Sequence, residues 1–109
     1  MPHIRTRAIK TEVVSQMSKE LPKLLAAEMN TAEDNFTFEA VSTQFFNQGV
    51  TEESYPFVEV LWFARSQEVQ DRCAQILTEK IKELTPAPDV VVVFQVLEKN
   101  AYYENGKHF

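Results

Sequence analysis

Pro2 has the most unusual chemistry open to any residue of this chain. An initiator methionine before proline is normally excised, and removal of Met1 would leave a secondary amine at the chain start. In an apolar pocket or beside cations the charged form of that amine is penalised, so its pKa falls toward neutrality and it can serve as a general base without any side chain. A retained Met1 makes the same nitrogen an amide, which cannot act as a base. Two cations also stand in unusual places. Lys10 and Arg65 come just before expected helix starts, where a positive charge opposes the helix dipole. The plain alternative for each is a solvated surface cation.

Other polar residues have more ordinary readings. Arg5 and Arg7, two apart on one strand face, could add positive charge to a pocket, but pairing with Glu39 or Glu59 across neighbouring strands is the favoured reading. Glu39 could act as a second acid or base if burial raised its carboxyl pKa. His3 and His108 show no partner in the sequence and read as surface imidazoles. Cys73 is the single cysteine, so no internal disulfide can form, and no Cys/His cluster has zinc-site spacing. Most of the aromatic residues read as core.

The elements that must position these groups follow from periodicity. Pro2 to Ile9 alternates and reads as a strand, after which Thr11 can cap a helix running from Glu12 to Met29. Its apolar face is Val13, Val14, Met17, Leu21, Leu24, Leu25 and Met29, and Pro22 predicts a kink or a break within it. Phe36 to Phe46 reads as a second strand with a bulge. Asn47 to Ser54, with Gly49, reads as a linker. The pattern then repeats: a strand over Pro56 to Ala64, a helix capped by Ser66 with Val69, Cys73, Ile76, Leu77, Ile81 and Leu84 on its buried stripe, and an apolar strand over Val90 to Leu97. Asn105-Gly106 signals a turn in the tail.

The chain of 109 residues is 44% hydrophobic, which suits one domain: repeat 1 over about 2–46, repeat 2 over about 56–99 and a tail over 100–109. Sliding one half onto the other aligns Pro2 with Pro56, Ile4 with Val58, Thr11 with Ser66 and Met17 with Cys73. Two βαβ units predict an α/β (α+β) fold with a four-stranded mixed sheet and two helices on one face. The other face would be bare, so further copies of the chain are expected to cover it. A net charge of −5 disfavours general nucleic-acid or anionic-membrane binding. No apolar run approaches the length of a membrane span and no signal peptide is visible, so a cytoplasmic location is expected.

Pro2-His3-Ile4 opening a strand, Ala64-Arg65-Ser66 leading into the second helix and Asn100-Ala101 after the last strand together resemble the tautomerase superfamily. The resemblance is to its branch of macrophage migration inhibitory factor and carboxymethyl-hydroxymuconate isomerase, and it spans essentially the whole chain. It implies a homotrimer with active sites between subunits, and Pro2 as general base in keto-enol chemistry on a small 2-keto acid. It implies no metal and no organic cofactor. Arg65 matches an arginine that binds a substrate carboxylate, and Lys10 holds the analogous place in the first repeat. Either cation could stabilise charge developing on an enolate oxygen. Tyr102 or Tyr103 would border the pocket and could donate a hydrogen bond to the substrate, or else pack the tail on a neighbouring subunit. The superfamily can also place an arginine on the second strand, where this chain has Glu39 and no basic residue, which weakens a dicarboxylate reading. A related lyase or hydratase using the same amine is one alternative, and from a different class the competing function is a non-catalytic trimeric binding or scaffold protein that keeps the fold.

Overall fold

The computed structural model describes residues 2–52 and 55–109. Strand β1 (His3–Arg7), helix α1 (Thr11–Met29) and strand β2 (Thr37–Val41) form one βαβ unit. A short hairpin, β3 (Phe45–Asn47) and β4 (Val50–Glu52), precedes the second unit of β5 (Phe57–Trp62), α2 (Gln67–Leu84) and β6 (Val91–Val96). A second hairpin, β7 (Tyr103–Glu104) and β8 (Lys107–His108), lies in the tail. The main sheet has the order β2-β1-β5-β6. Its outer pairs are parallel and the central pair β1/β5 is antiparallel, as two side-by-side βαβ units require.

Alternation places both helices on one face. Ile4, Val58, Val60 and Trp62 from the central strands are fully buried against Met17, Leu21 and Leu25 of α1 and Cys73, Leu77 and Ile81 of α2. Each large apolar side chain so enclosed contributes roughly 1.5–3 kcal/mol by leaving water. Positions that the sequence aligned between the repeats, Ile4 with Val58 and Met17 with Cys73, are all in this core.

Three local expectations are corrected. α1 runs unbroken from Thr11 to Met29 across Pro22, so the expected break does not occur. The proline removes one main-chain bond, while Leu21 beside it and Leu25 one turn on stay fully buried and hold the helix to the sheet. Lys10, not Thr11, is the N-cap residue of α1, without a side-chain capping bond. The stretch expected as the end of a bulged second strand and a linker instead forms β3 and β4. Its turn residues Gln48 and Gly49 have φ of 50° and 84°, the left-handed pair that a tight hairpin turn demands. Glu53 and Ser54, the end of that expected linker, lie outside the described residues, as does Met1. Ser66 caps α2 as expected, its Oγ accepting from the Val69 N–H at 3.2 Å.

The sheet face away from the helices is less apolar than the run of valines suggested. His3, Arg5 and Arg7 on β1 face it, between Glu39 of β2 and Glu59 of β5. One Glu39 oxygen accepts from His3 Nε2 at 2.8 Å and from Arg5 Nε at 3.0 Å, and Arg7 pairs with Glu59. The cross-strand reading of both arginines is therefore the observed one, and His3 has a partner after all. His3 and Arg5 hold the Glu39 carboxyl below its ordinary value of 4.5, the opposite of the raised value a second acid would need. A carboxylate with a depressed folded-state pKa adds stability above its unfolded pKa and loses it as pH falls through the lower folded value. Acid unfolding of the wild type should therefore steepen below about pH 4.5, and Glu39→Gln should lose part of that dependence, as read by circular dichroism along a pH series.

Candidate active site

The register decides which candidates share an end of the sheet. His3 lies opposite Leu61 on the antiparallel neighbour, so the start of β1 is beside the end of β5. Trp62 lies opposite Val96 on β6, which brings the close of that strand to the same end. Pro2 is anchored there, its carbonyl accepting from the Thr37 N–H at 3.2 Å and its ring fully buried.

Arg65 leaves the loop between β5 and α2 at this end. Its guanidinium carbon sits 5.1 Å from the centre of the Trp62 ring, and one Nη1 donates to the Phe63 carbonyl at 2.7 Å. Burial lowers its pKa, a direction opposite to that of Arg5 and Arg72, which carboxylates raise. Arg5, Arg7 and Arg72 are each ion-paired, whereas Arg65 has no acidic partner among the described residues. A guanidinium carries five N–H donors in a fixed fork, and a stacked, partly desolvated one with open donors is suited to a planar anion. The Trp62 Nε1–H is also buried without a partner among the described residues.

Tyr102 reaches the same end. Its ring meets Phe63 edge-on at 5.4 Å and Phe109 at 4.9 Å. Tyr103 turns elsewhere, exposed on the tail hairpin against the His108 ring at 5.8 Å. Asn105 and Gly106, with φ of 54° and 81°, make the turn that the sequence signalled there.

Lys10 is placed apart. It follows the far end of β1, and at about 3.3 Å of rise per residue the five residues of that strand alone separate it from Pro2 by roughly 16 Å. There it lines a groove of about 1010 Å³ with Glu12, Phe45, Tyr55, Pro86 and Asp89. None of Pro2, Arg65, Tyr102 and Tyr103 borders that groove.

Cys73 is no nucleophile. It is fully enclosed, and burial first, then nearby Glu28, push its thiol pKa up to about 11. The described residues hold no cluster of three or more His, Cys, Asp or Glu able to bind a metal, and no helix among them is long and apolar enough to cross a membrane. Sequence spacing missed Phe63, Trp62 and Lys99, whose Nζ lies 5.8 Å from the Phe63 ring centre. The signal for Lys99 was its place directly before Asn100-Ala101.

Known proteins agree with this architecture. None of the curated proteins matches the chain. Among solved structures, a domain of unknown function from Sebaldella termitidis is 41% identical, with 100% of each chain covered and a TM-score of 0.94. A macrophage migration inhibitory factor-like protein from Entamoeba histolytica is 12% identical, with 99% of this chain and 98% of that one covered and a TM-score of 0.77. The asymmetric trimer of a wild-type fused 4-OT is 11% identical over 97% of this chain and 94% of its own, with a TM-score of 0.83. The last two likenesses show the fold, which is that of the tautomerase superfamily. The family described as a domain of unknown function, DUF1904, matches residues 1–108, and the chain belongs to it.

Proposed function

We propose that this protein catalyses keto-enol proton transfer on a small 2-keto acid without a cofactor, with the amine of Pro2, freed by removal of Met1, as general base. The observation that carries the reading is Arg65: a partly buried guanidinium without an acidic partner among the described residues, at the same end of the sheet as the enclosed Pro2. Arg65 binds the carboxylate of the substrate and lends positive charge to the adjacent oxygen as the enolate develops. The buried setting of Pro2 and a cation brought from the same end of the sheet would both penalise a protonated amine, so the amine is neutral often enough near pH 7 to take a proton from the carbon beside the carbonyl. The same amine, now protonated, returns the proton to oxygen or to carbon. Tyr102 walls the site through Phe63, while Lys10 could enter a site only from another subunit, given its place beyond β1.

Arg65→Ala should raise KM for a 2-keto acid by roughly 10- to 100-fold, the worth of a charge-assisted hydrogen-bonded pair, with a smaller fall in kcat. Arg65→Lys should recover part of the loss. Equal KM values for wild type and Arg65→Ala would remove the anion-binding role.

A closed homotrimer is the assembly proposed for the face that carries His3, Arg5, Glu39, Glu59 and Val93, in keeping with the trimeric fused 4-OT of the same fold. Val93 is 41% exposed in the single chain and becomes covered in such an assembly. Sedimentation at micromolar concentration should give three times the chain mass; a monomer there would refute the assembly.

A further inference from the structure

We propose that the groove at the far end of the sheet from Pro2 binds a linear polyamine, an aliphatic chain that carries spaced ammonium groups. Pro2, Arg65 and Tyr102 lie outside this groove, and its ligand is independent of proton transfer at Pro2.

Local backbone chemistry builds the walls. After β1, Ala8 takes a φ of 61°, a left-handed conformation disfavoured for alanine, and turns the chain into α1 so that Lys10, Glu12 and Val13 line one side. The loop after α2 lines another. There the Thr85 Oγ1 donates to the Ile81 carbonyl at 2.8 Å and accepts from the Ala87 N–H at 3.4 Å, while Pro86 and Pro88 each have a fixed φ. The hairpin of β3 and β4 supplies Phe45 and Glu52, and the Phe45 ring stacks on Tyr55 with centres 6.4 Å and planes 22° apart. Next to Tyr55, the Pro56 carbonyl accepts from the Val91 N–H at 3.0 Å, which ties this aromatic pair to the sheet. A cleft of about 1010 Å³ with such constrained walls is a largely preformed small-molecule site with room for an extended ligand.

The charges on these walls select the ligand. Glu12, Glu52 and Asp89 come from three separate elements, and against the one cation Lys10 they leave the described lining with a net charge of −2. None of these four side chains is ion-paired among the described residues, whereas Glu20, Glu28, Glu39 and Glu59 each hold a cation. One sign of charge in a cleft with low-dielectric walls focuses the field and concentrates ligands of the opposite sign. The described residues contain no group of three acidic, His or Cys side chains close enough to hold a metal ion, so the three carboxylates are too dispersed for one point charge. They call for positive charges that are themselves spaced. Between them the lining is apolar, with Ile9, Val13 and Leu84, and the methylene segments of a polyamine cover such a surface while its ammonium groups reach outward. The Phe45 and Tyr55 rings offer one ammonium a π face.

The test titrates the untagged full chain with spermidine, 1,8-diaminooctane, octylamine and octanoate, read by calorimetry and by amide NMR shifts. Affinity should fall in that order, octanoate should not bind, and the amides of Glu12, Ala87 and Asp89 should move. Added salt should weaken the amines. Glu52→Gln and Asp89→Asn should each weaken spermidine by about threefold to fivefold, the upper range for an exposed ion pair, and Tyr55→Ala by roughly threefold through the lost π face. Lys10→Gln should tighten spermidine by about twofold, because it removes the one opposing charge. Glu98→Gln and Glu104→Gln take the same charge from the tail and should leave the affinity nearly unchanged. Equal weakening by these tail variants would reduce the effect to general attraction of cations to an acidic protein and overturn the proposal. Preference for octanoate, with a loss in Lys10→Gln, would overturn it by sign. Failure of every amine to bind, the result expected if a second copy of the chain fills the groove, would overturn it as well.

Discussion

Pro2→Ala should slow enolisation of an aryl pyruvate by about 100-fold or more, within the range that a positioned general base contributes. The variant keeps a terminal amine once Met1 is removed but makes it primary. It also loses the ring that is now fully buried at the head of β1. The replacement is freer to rotate and more readily solvated, so its charged form is penalised less and its lone pair is held less firmly on the substrate. The loss should fall mainly on kcat, in contrast to Arg65→Ala, where KM carries the larger change. A rate equal to that of the wild type would hand the site to the scaffold reading.

The second large effect is on stability. Trp62 is fully buried, packs on Phe94 with ring centres 4.7 Å apart and supports the Arg65 guanidinium. Trp62→Ala should cost about 3–5 kcal/mol, the transfer free energy of a large aromatic plus the cavity left behind. Trp62→Phe should lose far less, because it keeps an aromatic ring and removes an indole N–H that has no partner among the described residues. Urea unfolding at matched protomer concentration would separate the two variants, since assembly adds its own stability. Comparable destabilisation by both would mean that the indole nitrogen is not idle.

Much of this framework was legible from periodicity. The step of three and four residues through Met17, Leu21 and Leu25, and its counterpart through Cys73, Leu77 and Ile81, marked the residues that meet over the sheet. The repeat alignment paired Ile4 with Val58, both of which are in the core, and alternation put Arg5 and Arg7 on one face of β1, where they meet Glu39 and Glu59. The hairpin of β3 and β4 was harder to see, because Gln48-Gly49 is a less familiar turn pair than Asn105-Gly106 and its strands have three residues each. Of the kink or break read at Pro22, the break is absent, because propensity describes an isolated helix, whereas burial of one face holds α1 together.

The site was only partly legible, for a reason of topology. Lys10 and Arg65 occupy equivalent places in the two repeats, and equivalence suggested a shared role. The repeats, however, run antiparallel through β1 and β5, so equivalent positions fall at opposite ends of the sheet. Lys10 lines the groove of about 1010 Å³, whereas Arg65 lies over Trp62 at the end of the sheet where β1 begins. His3 and Glu39 lie 36 positions apart in sequence, a separation at which no spacing rule shows a contact that parallel pairing of β1 with β2 makes direct. Lys99 escaped notice for the same cause, since its contact with Phe63 depends on β6 ending beside β5.

The claim that the Pro2 amine moves a proton is tested most directly by comparing the processed protein with a form that retains Met1, each verified by intact mass. Both are incubated with an aryl pyruvate in deuterium oxide, and deuterium entering the carbon next to the carbonyl is followed by NMR. The two forms share every residue from Pro2 onward and differ in the added Met1, which turns the Pro2 amine into an amide. Exchange well above the buffer rate with the processed chain, and at the buffer rate with the Met1-blocked chain, is the predicted result. Equal exchange by the two forms, whether fast or absent, would contradict the account.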